Sequence, residues 1–390
     1  MKIVFISNKI TPHQIPICNE LARDHEFLFI ETMKGEVIDP GWQANGYSYS
    51  NVIPYTEDKG EKLEILSKII DADVVICGSA PDSYIKSRLK KRKLTFKYAE
   101  RFYKTGLGYR KIIRAILGTW LHHGRFQRFP LYMLCASAYT SADCAKFGNY
   151  TNRVYKWGYF PETKQYDLQK MLLEKHNTNV PKLLWVGRLV EWKHPEVVIE
   201  LASKLKKAGY HFSLTIIGYG ALENSLETLI NSKDVNDVVS MLGKMSPEEV
   251  RTHMEKANIF LFTSNFEEGW GAVLNEAMNS ACAVVASHSI GSVPYLIRHK
   301  ENGMIYSYGN NDMLFDNIRY LLENPDEQDR MGKAAYKTII EEWNEKVAAE
   351  RLVQLSEQLL SGNMNPDLYC DGPCSKAEII ENDWFAKNNT

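Results

Sequence analysis

The chain reads as two doubly wound α/β domains in series. Three observations predict this class. Short apolar, β-branched runs alternate with amphipathic helical segments over residues 1–160, and the alternation restarts at 182. A polar stretch bounded by Pro161 and Pro181 separates the two series. The length, 390 residues, exceeds what one ordinary core organises.

In the first series, "KIVFIS" is a strand, "QIPICNELARD" a helix and "EFLFIE" a second strand. "KLEILSKII" is amphipathic at helical spacing, and "DVVICGS" and "LTFKYAE" read as strands. "YMLCASA" is a further strand, followed by "SADCAKFG", a helix closed by Gly148. Residues 161–181 read as a linker. In the second series, "KLLWVGR" is a strand and "HPEVVIELASKLKKAG" a helix stopped by Gly209. "FSLTIIG", "VVSMLG", "IFLFTS" and "CAVVAS" are strands, with "ALENSLETLI" a helix among them. "SPEEVRTHMEKA" is a helix with Ser246 as N-cap and Pro247 in the first turn. "AAYKTIIEEWNEKVAAERLVQLSEQLL" is expected as one long helix ending a domain at 362, with 363–390 a mobile polar tail. The expected units are therefore 1–160, a linker 161–181, 182–362 and the tail. In open parallel sheets ligands lie beyond the carboxyl ends of the strands, so a site is expected in a cleft between two such domains.

Net charge is −1, which gives no reason for a polyanionic partner. The distribution is more telling. Residues 1–160 hold 24 Lys and Arg against 15 Asp and Glu, and the remainder holds 23 against 33. Within 86–128 there are 14 basic residues and one acid, Glu100. That stretch interleaves its cations with Phe, Tyr, Trp and Leu. No nucleic-acid motif accompanies it, so nucleic acid is not expected. A peripheral anionic membrane surface is favoured; the rival is a solvated basic face with its aromatics in the core. The seven cysteines show no zinc-finger spacing, and a reducing compartment is expected. Cys370 and Cys374 leave a disulfide or metal site open. "MKIVFISN" is too short an apolar run for a signal peptide. No stretch approaches the roughly 18 apolar residues of a spanning helix. A cytoplasmic chain, peripheral at the inner face of the membrane, is expected.

The stretch "NFEEGWGAVLNEAM", 265–278, carries the densest chemistry. Gly269 and Gly271 permit a sharp turn and close approach of a ligand to backbone. The helix that follows offers free N–H groups to an anion. Glu276 lies about one turn in, where a carboxylate accepts hydrogen bonds from a diol such as a ribose. Glu268 precedes the turn. The rival reading is an ordinary strand-to-helix turn with solvated glutamates. In "VGRLVEWKHPE", Arg188 and Lys193 follow a strand end and suit a diphosphate, or are two solvated cations. "IIGYG" adds Gly218 and Gly220 at another strand end. "DADVV", 71–75, contains Asp-x-Asp but in the first series, and no metal role is assigned to it.

The order Gly-Arg-Leu-x-x-x-Lys, strand-Gly-x-Gly and Glu-Gly-Trp-Gly-x-x-x-x-Glu-Ala, over about ninety residues, resembles the retaining GT-B glycosyltransferases of family 4, close to bacterial surface-polysaccharide members. The resemblance covers 182–350 and is weaker before it. It implies a GT-B fold: two Rossmann-like domains facing across a cleft, with a long C-terminal helix. It implies that Arg188 and Lys193 hold a donor diphosphate, with Gly187 and Gly218 beside them. Glu268, with the backbone of Gly269, Trp270 and Gly271, would meet the donor sugar, Glu276 the ribose, and backbone near Met241 to Gly243 the base, with Ala272 also on the donor side. Trp270 either lines the sugar pocket or packs beneath the turn. Glu268, Arg188 and Lys193 are the expected catalytic set, with no cofactor and no divalent metal. The partners implied are a nucleotide-sugar donor, UDP-sugar favoured, and a glycan or lipid-linked acceptor. The acceptor side departs from the family: the first loop is "SNKITPHQ" and "FKYAER" stands where a histidine is common. His13, Glu100 and Arg101 are the candidates there, with His122 and His123 lacking motif support. Alternatives are a transferase with a soluble acceptor and a non-catalytic GT-B subunit partnering another transferase. A dehydrogenase is disfavoured because no Gly-x-Gly-x-x-Gly follows the first strand.

Overall fold

The computed structural model describes residues 1–35, 51–104, 112–177 and 180–387. The contacts divide the chain into two units, Met1–Glu162 with Asn344–Glu381, and Thr163–Trp343 with Asn382–Thr390.

The first unit runs β1 (Lys2–Ser7), α1 (Ile15–Asp24), β2 (Glu26–Glu31), β3 (Val52–Ile53), α2 (Lys59–Asp71), β4 (Val74–Cys77) and α3 (Ser83–Lys90). It continues β5 (Thr95–Ala99), α4 (Ile112–His122), β6 (Leu131–Cys135), α5 (Thr140–Ala145) and β7 (Val154–Lys156). Its sheet is parallel, in the order β3-β2-β1-β4-β5-β6-β7. Central strands β4 and β6 are buried along their whole length, as a parallel sheet covered on both faces requires. The strand order reverses between β1 and β4. That switch point is where an open α/β sheet leaves a crevice at its carboxyl edge.

The second unit begins with α6 (Leu168–Lys175) and β8 (Lys182–Val186), then α7 (Pro195–Lys207), β9 (Ser213–Ile217), α8 (Glu223–Ser232) and β10 (Val239–Met241). It continues α9 (Pro247–Lys256), β11 (Ile259–Phe262), α10 (Val273–Asn279), β12 (Ala283–Ser287), α11 (Val293–Leu296), β13 (Met304–Tyr306), α12 (Asn311–Glu323) and α13 (Pro325–Glu341). The sheet is again parallel, β10-β9-β8-β11-β12-β13, with its switch point between β8 and β11. The expected Ser246 cap is a full capping box: its hydroxyl accepts from Glu249 N, and the Glu249 carboxylate accepts from Ser246 N. α14 (Glu345–Leu360) and α15 (Trp384–Lys387) complete the chain.

Three boundary expectations are corrected. The single long C-terminal helix is two, α13 and α14. Asn344 caps a new helix by accepting from Val347 N, and Trp343 is buried at the break. α14 belongs to the first unit and packs on α1. The tail is not loose over 363–381. Lys156 N donates to Ser375 O, Cys374 N to Lys156 O and Ala377 N to Val154 O, so this segment pairs antiparallel with β7. The Lys156 ammonium adds a 2.7 Å ion pair to Asp371. Cys374 is buried, Cys370 exposed, and both are free thiols. Finally, the linker holds α6, capped by Asp167 and anchored to the second unit by buried Lys175, which donates to the carbonyls of Met254 and Ala257.

Candidate functional site

In the second unit the chain empties the carboxyl edge of the sheet. Gly187, Gly218 and Gly243 follow β8, β9 and β10, and Gly218 N donates to Gly243 O at 2.9 Å. A Cβ on Gly218 would lie 1.8 Å from the Gly187 carbonyl oxygen. Only bare backbone fits that approach. Gly271 is held at φ +80°, and a Cβ there would lie 2.3 Å from the Phe262 ring. This is why the turn before α10 needs glycine.

Beside these glycines, at the switch point, β8 and β11 deliver opposite charges. The loop after β8 turns through Glu191–Lys193 and sends the buried Lys193 ammonium to Glu268 Oε2 at 2.5 Å. Ser264 Oγ donates to the same oxygen at 3.0 Å. Both partners of the pair are under a tenth exposed. Desolvation strengthens their attraction, and it also makes the loss of either partner costly. Glu268 Oε1 accepts no hydrogen bond among the described residues. Arg188 is exposed, and its guanidinium lies 5.6 Å from the Trp192 ring centroid, with Lys193 Nζ at 4.6 Å from the same ring. Two cations therefore flank one indole at the strand ends.

Glu276 lies in the first turn of α10. Burial raises its pKa, while Arg251 and Lys164 pull it back. Its carboxylate accepts no hydrogen bond among the described residues. Arg251, itself buried, donates to Asn279 Oδ1 and, from Nη1, to Glu276 O at 3.4 Å, and from Nε to Tyr166 Oη at 3.1 Å. The Arg251–Lys164 support of Glu276 was missed in the sequence, because those residues stand 25 and 112 positions away with no spacing signal.

The remaining expected donor residues sort by side chain and backbone. Met241 is half-buried against the core, so only its backbone, in register with Ile216, reaches the edge. Ala272 caps α10 and is buried. Of the two readings of Trp270, its side chain takes the second, packing beneath the turn. It is fully buried, its indole N–H donates to Asn275 Oδ1 at 2.9 Å, and its ring packs on Tyr295 and Trp343. It braces the turn from below.

In the first unit, His13 and Glu100 come together around Tyr159. His13 stacks on Tyr159 with ring centroids 6.0 Å apart, and Tyr159 Oη donates to Glu100 Oε1 at 2.6 Å. Glu100 Oε2 accepts from Lys104 at 2.5 Å. Burial lowers the His13 pKa to about 4, so the imidazole is neutral at neutral pH. Arg101 does not join them. It is 5% exposed, 3.7 Å from Asp143 and over the Tyr139 ring. Its surroundings are structural: Asp143 also accepts from Phe102 N and Tyr103 N and so fixes the loop after β5. His123 is driven down to about 3 by burial, bonded to Tyr150 Oη and stacked on Phe102. His122 meets Asp82 at 2.9 Å. The Asp-x-Asp pair is also structural: Asp73 accepts from Lys2 N, and Asp71 from Ser67. Among the described residues no cluster of three or more His, Cys, Asp or Glu is placed to hold a metal ion.

The basic stretch proves to be mixed. Arg88 is fully buried and donates to the carbonyls of Ile69, Ala72, Asp73 and Leu94. Lys97 is paired with Asp82 at 2.6 Å. Residues 105–111 of the stretch lie outside the described residues. No helix among the described residues is long and apolar enough to cross a membrane.

Residues 173–338 match the family described as "Glycosyl transferases group 1". The amylovoran biosynthesis glycosyltransferase AmsK of Erwinia amylovora is 33% identical over 183 residues, 46% of this chain and 45% of that protein. The putative colanic acid biosynthesis glycosyltransferase WcaL of Escherichia coli K12 is 29% identical over 46% of this chain and 45% of its own length. The chain thus spans under half the length of these relatives. Among solved structures, HepE of Anabaena in complex with UDP superposes with a TM-score of 0.69 at 15% identity, covering 93% of this chain and 100% of that one. Sucrose-phosphate synthase of Thermosynechococcus elongatus gives 0.65 at 15% identity, covering 93% of this chain and 99% of its own. At such identities the likeness concerns the fold, which is GT-B.

Proposed function

From the match of residues 173–338 to the group 1 glycosyl transferases, we propose that this protein is a retaining glycosyltransferase. It moves a hexose-type sugar from a nucleoside diphosphate sugar, UDP-sugar favoured, to a membrane-associated glycan or lipid-linked acceptor in surface polysaccharide synthesis. The single observation that carries the reading is the Lys193–Glu268 pair beside Gly187, Gly218 and Gly271, at the switch point of the second sheet. The bare backbone lets the strand ends close on one another, and Arg188 and Lys193 beside them supply cations for a diphosphate.

The bond between the sugar C1 and the β-phosphate oxygen breaks, and a bond from C1 to the acceptor oxygen forms on the same face. The acceptor proton passes to the leaving phosphate oxygen. Arg188 and Lys193 stabilise the charge that grows there. Glu268 contacts the sugar and holds Lys193 in place. Glu276 accepts from the ribose hydroxyls. Neutral His13, stacked on Tyr159 beside Glu100, contributes to the acceptor side without having to serve as a charged group. The relatives named for amylovoran and colanic acid biosynthesis support the polysaccharide assignment, and the UDP held by HepE supports the nucleotide.

The test is a thermal-shift series with UDP, GDP and ADP, followed by transfer assays on the nucleotide that stabilises. A ligand bound at 100 times its Kd stabilises the fold by about 2.7 kcal/mol. Arg188→Ala, a change at an exposed side chain, should leave the unliganded melting point unchanged. It should cut both the nucleotide shift and transfer by about tenfold or more. An unmoved nucleotide shift would remove Arg188 from the diphosphate. An inverted anomeric product, read by NMR, would overturn retention.

A further inference from the structure

α4 is amphipathic in the reverse sense. Ile113, Ile116, Leu117, Trp120 and Leu121 recur at i, i+3, i+4, i+7 and i+8, the spacing of one apolar helix face. On a globular surface that face turns inward. Here its members are 71%, 46%, 57%, 57% and 42% exposed. On the opposite side stands Thr119. Thr119 is buried and hydrogen-bonded to the Tyr103 hydroxyl. The helix is therefore held to the protein through Thr119, and its large apolar side chains face out. Five large apolar side chains in one stripe are a binding surface rather than scattered exposure.

Charge identifies the occupant. No Asp or Glu lies between Glu100 and Asp143. Arg114 is exposed at the flank of the stripe, and Arg125 and Arg128 are exposed just beyond the helix. The nearby acid Asp82 is already taken up by Lys97, His122 and Arg125. An apolar stripe rimmed by unbalanced arginines complements a layer that is apolar within and anionic at its edge. A second copy of the chain would bring the same arginines against one another.

We propose that α4 seats in the interface of an anionic lipid bilayer, with Ile113, Ile116, Leu117, Trp120 and Leu121 among the acyl chains and Arg114, Arg125 and Arg128 at the headgroups. This deepens the membrane-side acceptor reading and rests on it. It assigns the attachment to one helix of the first unit, apart from the nucleotide-binding residues of the second.

The experiment compares the full chain with a Leu117→Asp/Trp120→Asp variant in co-sedimentation with vesicles. One set is phosphatidylglycerol with phosphatidylcholine, the other phosphatidylcholine alone, each at low and high salt. The parent should bind the anionic vesicles, and weaken by about tenfold in high salt as headgroup attraction is screened. The variant should bind about tenfold more weakly or worse, since two apolar anchors are replaced by charges the lipid repels. Circular dichroism and the nucleotide-induced thermal shift of the variant should match the parent. The proposal is overturned by equal vesicle binding of parent and variant, by equal binding to neutral and anionic vesicles, or by no binding to either. A dimer in sedimentation velocity that the variant abolishes also overturns it, because the stripe would then serve self-association. The two readings fail separately. Nucleotide stabilisation without vesicle binding sinks the docking alone, and vesicle binding without nucleotide stabilisation sinks the transferase reading alone.

Discussion

At the carboxyl edge of the second sheet the strand ends carry Gly187, Gly218 and Gly243, and one desolvated ion pair with a carboxylate oxygen left to accept. At the same edge of the first sheet the chain places Tyr98, Tyr159 and His13, and a glutamate whose two oxygens are both engaged. The folds of the two units are alike, so the contrast is one of side chains. On the proposed reading the second edge takes a diphosphate, which is small and polyanionic and is suited by glycine strand ends with cations beside them. An acceptor glycan differs from one enzyme to the next, and aromatic and hydroxyl groups suit its faces and edges. The second edge shows in the sequence as glycine spacing, and the first as residues without a shared motif.

The sharpest way to break this comparison is to remove Lys193. Lys193→Ala leaves the Glu268 carboxylate buried without its cation, at a cost of about 3–5 kcal/mol in stability. It also removes a charge from the diphosphate, which should lower transfer by about a hundredfold or more. Chemical denaturation and initial rates read the two effects. The double variant Lys193→Met/Glu268→Gln should recover most of the stability and none of the transfer. If it recovers both, the pair is scaffolding and the functional reading of this edge is wrong.

A second comparison uses glycine in each unit. Gly218→Ala forces a Cβ to 1.8 Å from the Gly187 carbonyl, so the strand ends must separate. About 3 kcal/mol of stability should be lost, together with nucleotide affinity. Gly148 in the first unit also has positive φ, +65°, but a Cβ there meets nothing within 4 Å. Gly148→Ala should cost only about 1 kcal/mol, the left-handed backbone penalty, with nucleotide affinity unchanged. Equal losses from the two would mean that close backbone approach is not what the second edge is built for.

The legibility of these features followed their physics. Parallel strands buried on both faces, such as "VVIC" and "IFLF", announce themselves as unbroken apolar runs. Ser246 and Pro247 marked a helix start by local chemistry alone. Glu268, Lys193 and Arg188 stand together at strand ends because their loops have fixed spacing to those ends. What failed was tertiary. The amphipathic period runs through Trp343 and Asn344 with little sign that the chain changes units there, and only the Asn344 cap betrays it. Trp270 stays open in the sequence between pocket wall and brace, because orientation at a glycine turn is not set by spacing, and its side chain is a brace. Arg101 is an acceptor-side candidate by sequence, while Asp143, far along the chain, draws it inward. The reversed stripe of α4 is invisible for the same reason: period is a sequence property, but which side is covered is not.

The smallest expected effect concerns Glu276, where function and stability pull in opposite directions. Its carboxyl is half-buried and accepts no hydrogen bond among the described residues, and desolvation raises its pKa against the pull of Arg251 and Lys164. A carboxyl whose folded pKa is raised binds its proton more tightly folded than unfolded. Its stabilising contribution is therefore present below the ordinary glutamate pKa, about 4.3, and is lost as pH rises through the raised folded value. At neutral pH the unliganded protein carries that penalty, and a ribose diol would relieve it by donating two hydrogen bonds. Glu276→Gln should thus raise the unliganded melting point at pH 7 by about 2–4 °C, the shift that about 1 kcal/mol produces in a unit of this size. The gain should vanish near pH 4, where the parent carboxyl is itself protonated. The same variant should bind nucleotide about tenfold more weakly, because an amide accepts from the diol less strongly than a carboxylate. A variant less stable than the parent at pH 7 would mean that Arg251 and Lys164 already make the glutamate a structural anchor. Unchanged nucleotide affinity would move the ribose elsewhere along this edge.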